Sequence, residues 1–322
     1  MRLSDLKPRF VGLLQAGAFV TAVFSLATLA DHLHRYLELF SHFRLQYLAV
    51  AVILSVLLFV MRSRHWATLM LAVAVVNIIP VWPWYAAEIS AAPQERRTIK
   101  LLLSNLYSGN KSMQALIDLV NAEDADIVFL QELTSKRNAG LSQLRETFTY
   151  SLNIPREDNF GIAVLSRHPF VSAKVIERPP FDLPSLVVEV ALGADTIAFV
   201  TTHPLPPIGR TGFDSRNEQL ANIAKVVNSF PGPRVLIGDL NTTMWGHHYE
   251  RLIADTGLKN ARYGFGVLTT WPTHLPFAMI PIDHCLVSEE FTVLDARSGP
   301  DIGSDHLPLI VELAIGNVPA TK

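Results

Sequence analysis

Three long uncharged runs in the first 95 residues constrain this chain more than any other feature. Phe10 to Ala30 holds 21 residues without a charge, Leu45 to Met61 holds 17, and Trp66 to Ala87 holds 22, with Pro80 and Pro83 near its end. A helix needs about 20 apolar residues to cross the hydrocarbon core of a bilayer. Buried core helices are the soluble alternative. A cleaved signal peptide could account for the first run, but signal peptides are shorter and would leave two runs unexplained. The pattern predicts a membrane region over residues 1–89 with three transmembrane helices, at about 10–30, 45–61 and 66–87.

Orientation follows from Lys and Arg in the short flanks. The N-terminal tail carries Arg2, Lys7 and Arg9, and the second loop carries Arg62 and Arg64, against Arg35 and Arg44 in the first loop. This balance predicts a cytoplasmic N-terminus, and three spans then place everything after residue 95 outside the cytoplasm. Trp66, Trp82, Trp84 and Tyr85 flank the third run as interfacial aromatics do. The expected localisation is multi-pass in the inner or plasma membrane. Cys285 is the single cysteine, so an internal disulfide is excluded.

Beyond a polar linker at 90–97 the chain reads as one globular domain over 98–316 with a short tail at 317–322. Of the 27 Lys and Arg, 20 lie beyond residue 95, against 24 of the 29 Asp and Glu, so this part is acidic. A duplex-DNA binder that grips phosphates would show a basic face, and no basic run is present. Apolar strand-like runs alternate with helical patterns. "TIKLLLSNLY", "DIVFLQEL", "FGIAVLSRHPF", "RVLIGDLN", "IDHCLVS", "FTVLDARS" and "SDHLPLIVELAI" read as strands. "SLVVEVAL" and "TIAFVTTHP" flank Gly193-Ala194-Asp195 as a hairpin. "SMQALIDLVNAEDA", "FDSRNEQLANIAKVVNSF" (N-cap Asp214 or Ser215) and "HHYERLIADTGL" (ended by Gly257) read as helices. Many strands with a few helices on them predict a layered α/β sandwich of two sheets.

Polar residues stand where these apolar strands stop: Asn105, Glu132, His203, Asp239 with Asn241, Asp283 with His284, and Asp305 with His306. Each alone has an ordinary explanation, since Asp is common in turns and a lone His is more often structural than catalytic. Their recurrence at separate strand ends points to one cleft. Carboxylates are the hard oxygen ligands that Mg²⁺ or Mn²⁺ prefers, and imidazoles move protons or stabilise oxyanions.

This arrangement resembles the endonuclease/exonuclease/phosphatase superfamily, which includes DNase I, AP endonucleases, neutral sphingomyelinases and inositol polyphosphate 5-phosphatases. The segments that carry the resemblance are "LLLSNLY", "DIVFLQEL", "FGIAVLSRHP", "TTHP", "VLIGDLNT", "IPIDHCLVS" and "GSDHLPLIVEL", in the family's order from about residue 98 to 315. The resemblance implies a four-layered, DNase I-like α/β sandwich and divalent-metal-dependent phosphoester hydrolysis with Mg²⁺ or Mn²⁺. It implies Glu132 as principal metal ligand, with Asn105 beside it and Asp305 at or near the metal. It further implies Asp239 as the acid that prepares the attacking water, Asn241 as a substrate-binding amide, and His306 as the catalytic histidine polarised by Asp283. His203 corresponds to a second phosphate-contacting histidine of the DNase I and sphingomyelinase branches.

Departures narrow the substrate. AP endonucleases carry a tyrosine shortly before the "GIAVLS" strand and usually lack histidine at the His203 position, whereas Asn159-Phe160 and His203 stand here. The flanks of "GDLN" and "SDH" lack the inositol phosphatase signatures. The reading is a membrane-anchored phosphoesterase acting on a lipid head group, a small phosphoester or nucleic acid, with no obligate protein partner inferred. A DNase I-like endonuclease and a catalytically inactive binding module are the competing classes. Trp245, Trp271 and Phe277 are candidates for cleft lining or core packing, Arg210 is a candidate phosphate contact, and Arg216 and Gln219 read as structural. His247 and His248 read as a helix start that a second metal could reach.

Overall fold

The computed structural model describes residues 3–86, 97–110, 113–177 and 181–316. The expected tail at 317–322 and nearly all of the expected linker lie outside the described residues. The chain separates into two units, Met1–Ala86 with Trp245–His247, and the remainder.

The first unit is helical: α1 (Leu3–Ala27) with a 3₁₀ turn after it, α2 (Arg35–Ser41), α3 (Arg44–Val60), α4 (Arg64–Val81) and the single turn α5 (Pro83–Ala86). Its interior uses small side chains, Ala18, Ala22, Ala51, Ala67 and Ala74, around Leu58 and Met70. Small residues let apolar helices approach closely. The Asn77 amide donates to Ser25 Oγ at 2.6 Å and to Val73 O at 2.8 Å, satisfying polar atoms inside the bundle. Phe19, Ile53, Phe59, Leu71 and Ile79 point outward and stay exposed.

All three expected runs form helices, but they are not equivalent. Pro8–Leu33 and Arg64–Val81 are long and apolar enough to cross a membrane, whereas α3 passes that test only together with α2, from which it bends by 62°. The count is therefore two, or three if the bent pair is one span. Pro80 lies inside α4 and Pro83 opens α5, so the third run continues to Val81 before it breaks.

Among the described residues the second unit contains twelve strands: β1 (Arg97–Asn105), β2 (Ile127–Gln131), β3 (Tyr150–Ile154), β4 (Ile162–Ser166), β5 (Phe170–Ile176), β6 (Ser185–Leu192), β7 (Asp195–Thr202), β8 (Arg234–Asp239), β9 (Lys259–Asn260), β10 (Asp283–Val287), β11 (Phe291–Ser298) and β12 (Leu309–Ile315). They form two six-stranded mixed sheets, ordered β11-β12-β1-β2-β4-β3 and β5-β6-β7-β8-β10-β9. Period-2 alternation explains how they pack. Leu101, Leu103, Ile127 and Phe129 of one sheet meet Val188, Phe199, Val235 and Ile237 of the other in the shared core. Leu102, Val128 and Leu130 turn the other way, against Leu116, Ile117 and Val120 of α6 (Gln114–Glu123). The central strands are thus apolar on both faces, which is why they read as continuous runs. On the second sheet α8 (Gly209–Val227), which follows the short α7 (Ser135–Gly140), packs against β7 and β8. The result is an α/β fold with two mixed sheets, consistent with a DNase I-like sandwich.

Helix α8 starts at Gly209 with Ile208 at the N-cap, six residues ahead of the expected Asp214. Gly212 allows the extra turn to dock, because a Cβ there would meet Pro206 O at 2.4 Å. Helix α9 (His247–Thr256) ends as expected at Gly257, whose φ of +67° suits glycine.

Candidate active site

Strand direction gathers the polar strand ends. β1 and β2 run parallel with Asn105 level with Gln131, so Asn105 and Glu132 leave the first sheet at the same edge. β7 runs parallel to β8, bringing His203 and Asp239 out together. β10 runs antiparallel to β8, so it begins where β8 ends, and Asp283 pairs directly opposite Asp239. The loop before β12 adds Ser304, Asp305 and His306, and is tied down by Ser304 Oγ donating to Asn105 O at 2.8 Å.

Asp239 is the hub. It is 2% exposed. Its Oδ2 lies 3.4 Å from His203 Nε2, 3.7 Å from His306 Nε2 and 3.3 Å from the donating Asn105 Nδ2. Its Oδ1 accepts from the Asn241 backbone N–H at 2.9 Å. Burial alone would raise its pKa, but the His203 hydrogen bond and the two imidazoles hold the carboxyl below its ordinary range. His306 Nδ1 sits 2.9 Å from Asp283 Oδ2. Burial disfavours its charged form, yet Asp283, then Asp239 and Asp305, outweigh this and raise its pKa to about 9. His306 is therefore an imidazolium at neutral pH, oriented by one carboxylate and aimed at another. His203 packs on Phe160 with ring centroids 5.3 Å apart, and its buried Nδ1 has no hydrogen-bond partner among the described residues.

Asn241 adopts a left-handed φ of +50°, which asparagine tolerates better than most residues. Its amide donates to Pro204 O at 2.9 Å, and the fully buried Arg216 donates to its carbonyl at 2.9 Å. Asn241 is thereby held from both sides. Arg216 is structural, as expected, and Gln219, bonded to Thr202 Oγ1 at 2.8 Å, is too.

Glu132 also has a left-handed φ, +56°, and its Oε2 accepts from Ser108 N–H at 2.8 Å. Such a backbone persists only where its surroundings over-determine it. Here the buried Arg137 guanidinium donates to the carbonyls of Glu132, Tyr107 and Asn110 together. Tyr107 is left-handed as well, at +53°. One cation thus clamps two strained loop positions, Tyr107 and Glu132.

Among the described residues, one group of metal-binding side chains is compact: Asp239, Asp283 and His306, with ligand atoms within 4.8 Å of one another. Asp283 and His306 are largely spent on each other. Of the expected ligands, Asn105 touches this group through Asp239, Asp305 precedes His306, and Glu132 stands next to Gln131, the strand partner of Asn105. Asp305 Oδ1 is buried with no hydrogen-bond partner among the described residues, while Oδ2 accepts from the Trp271 indole at 3.1 Å. A buried unpaired carboxylate oxygen is costly, and a hard cation would relieve it. The donors Glu132, Asn105 and Asp305 are all oxygen-bearing, as Mg²⁺ or Mn²⁺ prefers. By donor type the residues present fit a divalent metal, although among the described residues the compact group is Asp239, Asp283 and His306 rather than the expected Glu132, Asn105 and Asp305.

Several supporting residues are not legible in the sequence. Gln131 bridges the sheets, its Nε2 donating to Thr202 O and its Oε1 accepting from Asp239 N–H, both at 2.9 Å. A Cβ on Gly238 would lie 2.2 Å from Thr202 O and 2.7 Å from Gln131 Nε2, so this glycine admits backbone and an amide. Behind Asp283, the buried Arg262 donates to the Asp283 carbonyl and lies 3.0 Å from His284 Nδ1. Only a polar residue ending an apolar strand hints at Gln131. Arg137 reads like any solvated helix charge. Trp271 does reach the site, through Asp305. Trp245 groups with the first unit, His248 pairs with Asn217 at 2.9 Å, and Arg210 meets an exposed Asp214 at 3.4 Å.

Similar proteins share this fold. Residues 102–306 match the Endonuclease/Exonuclease/phosphatase family. An endonuclease/exonuclease/phosphatase from Beutenbergia cavernae superimposes with a TM-score of 0.58 at 21% identity, covering 70% of this chain and 73% of that one. D. rerio TDP2 complexed with single strand DNA product gives 0.56 at 15% identity, covering 67% and 98%. The human Nocturnin catalytic domain with bound sulfate gives 0.54 at 18% identity, covering 69% and 96%. No curated protein matches in sequence. With the family match extending over well more than half of its length, from β1 to His306, the chain belongs to the endonuclease/exonuclease/phosphatase family.

Proposed function

We propose that this protein is a membrane-anchored, divalent-metal-dependent phosphoesterase that hydrolyses a P–O bond by in-line attack of water. The observation that carries this reading is the arrangement of Asp239 between two histidines, with Asp283 behind one of them. A buried carboxylate held ionised at a strand end is placed to accept a proton from water and orient it. The imidazolium of His306, kept charged by Asp283, is placed to stabilise negative charge developing on phosphoryl oxygens. His203, with a buried Nδ1 that lacks a partner among the described residues, and Asn241 are the further donors for the phosphoryl group. Glu132, Asn105 and Asp305 are the residues that would hold the metal, which when bound supplies Lewis-acid charge stabilisation.

The apolar helices of the first unit, with their exposed hydrophobic faces, support the membrane anchor. Exposed apolar surface of that extent is unfavourable in water. With three spans the flanking Lys and Arg put the catalytic unit outside the cytoplasm; with two it returns to the side of the N-terminus. Reporter fusions at residue 322, active only in one compartment, separate these arrangements.

Purified full-length protein with Mg²⁺ or Mn²⁺ should hydrolyse bis-p-nitrophenyl phosphate, and His306→Ala should lower the rate by at least about a hundredfold. Undiminished turnover in that variant sinks the assignment.

A further inference from the structure

Among the described residues of the second unit, the two most exposed large hydrophobic side chains are Ile208 at 80% and Phe277 at 78%. Both lie on loops fastened to the candidate active site. Ile208 follows His203 by five residues, on the loop whose Pro204 carbonyl receives the Asn241 amide at 2.9 Å. Phe277 lies in the short 3₁₀ turn Pro276–Ala278, on the loop that opens with Trp271. That loop is bound to the catalytic loop at three points: Trp271 Nε1 to Asp305 Oδ2 at 3.1 Å, Thr273 N to Asp305 O at 2.9 Å, and Thr273 Oγ1 to Ser304 O at 2.9 Å.

We infer that Ile208 and Phe277 are apolar tips by which the catalytic unit enters a lipid surface, so that its substrate is a phosphoester carried by a membrane lipid. This rests on the phosphoesterase and membrane-anchor readings above. Two apolar side chains alone bind a bilayer weakly, but a tether converts such contacts into effectively intramolecular ones. Ten residues, 87–96, separate α5 from β1, and that length spans at most about 35 Å when fully extended. A catalytic unit on so short a leash meets lipid continually. The acidic balance of the unit disfavours a polyanionic duplex. A soluble phosphoester would give no use for two wet apolar tips on loops fastened to the site.

The test uses the full chain in phosphatidylcholine nanodiscs and has two readouts. Phe277→Cys offers one accessible thiol, because the native Cys285 is buried. A spin label at 277 should collide more with oxygen than with a water-soluble nickel chelate when the protein sits in discs; more collision with the chelate than with oxygen overturns the lipid contact. The double variant Ile208→Glu/Phe277→Glu should lose about tenfold in release of phosphorylated head group or phosphate from the disc lipid, with bis-p-nitrophenyl phosphate turnover unchanged. Equal loss on both substrates, or no loss on either, overturns the inference. Loss of plasmid nicking with lipid turnover intact overturns it in favour of apolar wedges for nucleic acid. A wild-type protein inert toward every phosphoester defeats the phosphoesterase reading and the substrate assignment with it, while label depth still decides the lipid contact.

Discussion

Asp239 and Asp283 stand opposite each other on the antiparallel strands β8 and β10, and the His306 ring lies against both, at 3.7 Å and 2.9 Å. Two buried carboxylates at such a position would repel if both were ionised alone. The imidazolium between them removes that repulsion, and the three groups act as one unit.

Replacing Asp283 with Asn should therefore change the pH profile as well as the rate. Asp283 is the largest contribution opposing burial in raising the His306 pKa to about 9. Without it the charged form is lost at lower pH, so the alkaline limb of kcat should move down by roughly one unit or more. The rate at neutral pH should fall by about a hundredfold. A profile that keeps its alkaline limb would exclude His306 as the group titrating there.

Arg137 makes a separate prediction. Its guanidinium bonds three carbonyls, including that of Glu132. Arg137→Met should raise the Mg²⁺ concentration for half-maximal activity by roughly tenfold, as loss of outer-shell support does. Arg137→Lys should recover little, because one ammonium cannot span three acceptors in a planar fork. Metal titrations by activity and by calorimetry check both.

Gly238→Ala should destabilise the fold by roughly 1–3 kcal/mol. The added methyl would sit 2.2 Å from the Thr202 carbonyl and must part the strand from the Gln131 bridge. Gln131→Leu should cost a similar, roughly 1–3 kcal/mol by orphaning Asp239 N–H and Thr202 O. Urea unfolding followed by fluorescence measures each, and a neutral Gly238→Ala would refute the close approach.

Acid sensitivity should arise from His284. It is wholly buried and its pKa is lowered from 6.5 to about 3, first by burial and then by Arg262. Below pH 6.5 the unfolded chain takes up a proton that the folded state refuses, so stability is present above 6.5 and declines as pH falls toward 3. The slope is up to about 1.4 kcal/mol per pH unit from this group. His284→Gln should flatten that part of the melting-temperature profile, even if it lowers the plateau.

The strands that the sequence does not reveal explain themselves by position. β3 and β5 lie at sheet edges and no residue of either is fully buried, so neither shows a continuous apolar run. β9 is two residues long and exists only by pairing with β10. Asp214 and Ser215 look like capping residues for α8, whereas the docking of Gly212 on Pro206 carries the helix back to Gly209. Trp271 reads equally as core or cleft from sequence, and its indole hydrogen bond to Asp305 places it at the site.

What the chain determined by itself was local. Runs without charge set the helices of the first unit, double-sided apolar runs made the central strands, and polar residues at their ends announced a cleft. The order of the motifs identified the family. The tertiary structure decided whatever depends on residues far apart: that Asp283 faces Asp239, that His306 is charged between them, and that Gln131 joins one sheet to the other. It also turned Arg137 from a surface charge into a buried clamp. Periodicity is a property of neighbours in sequence, whereas a pKa, a satisfied carbonyl or a strained φ depends on partners that only folding brings within about 3 Å.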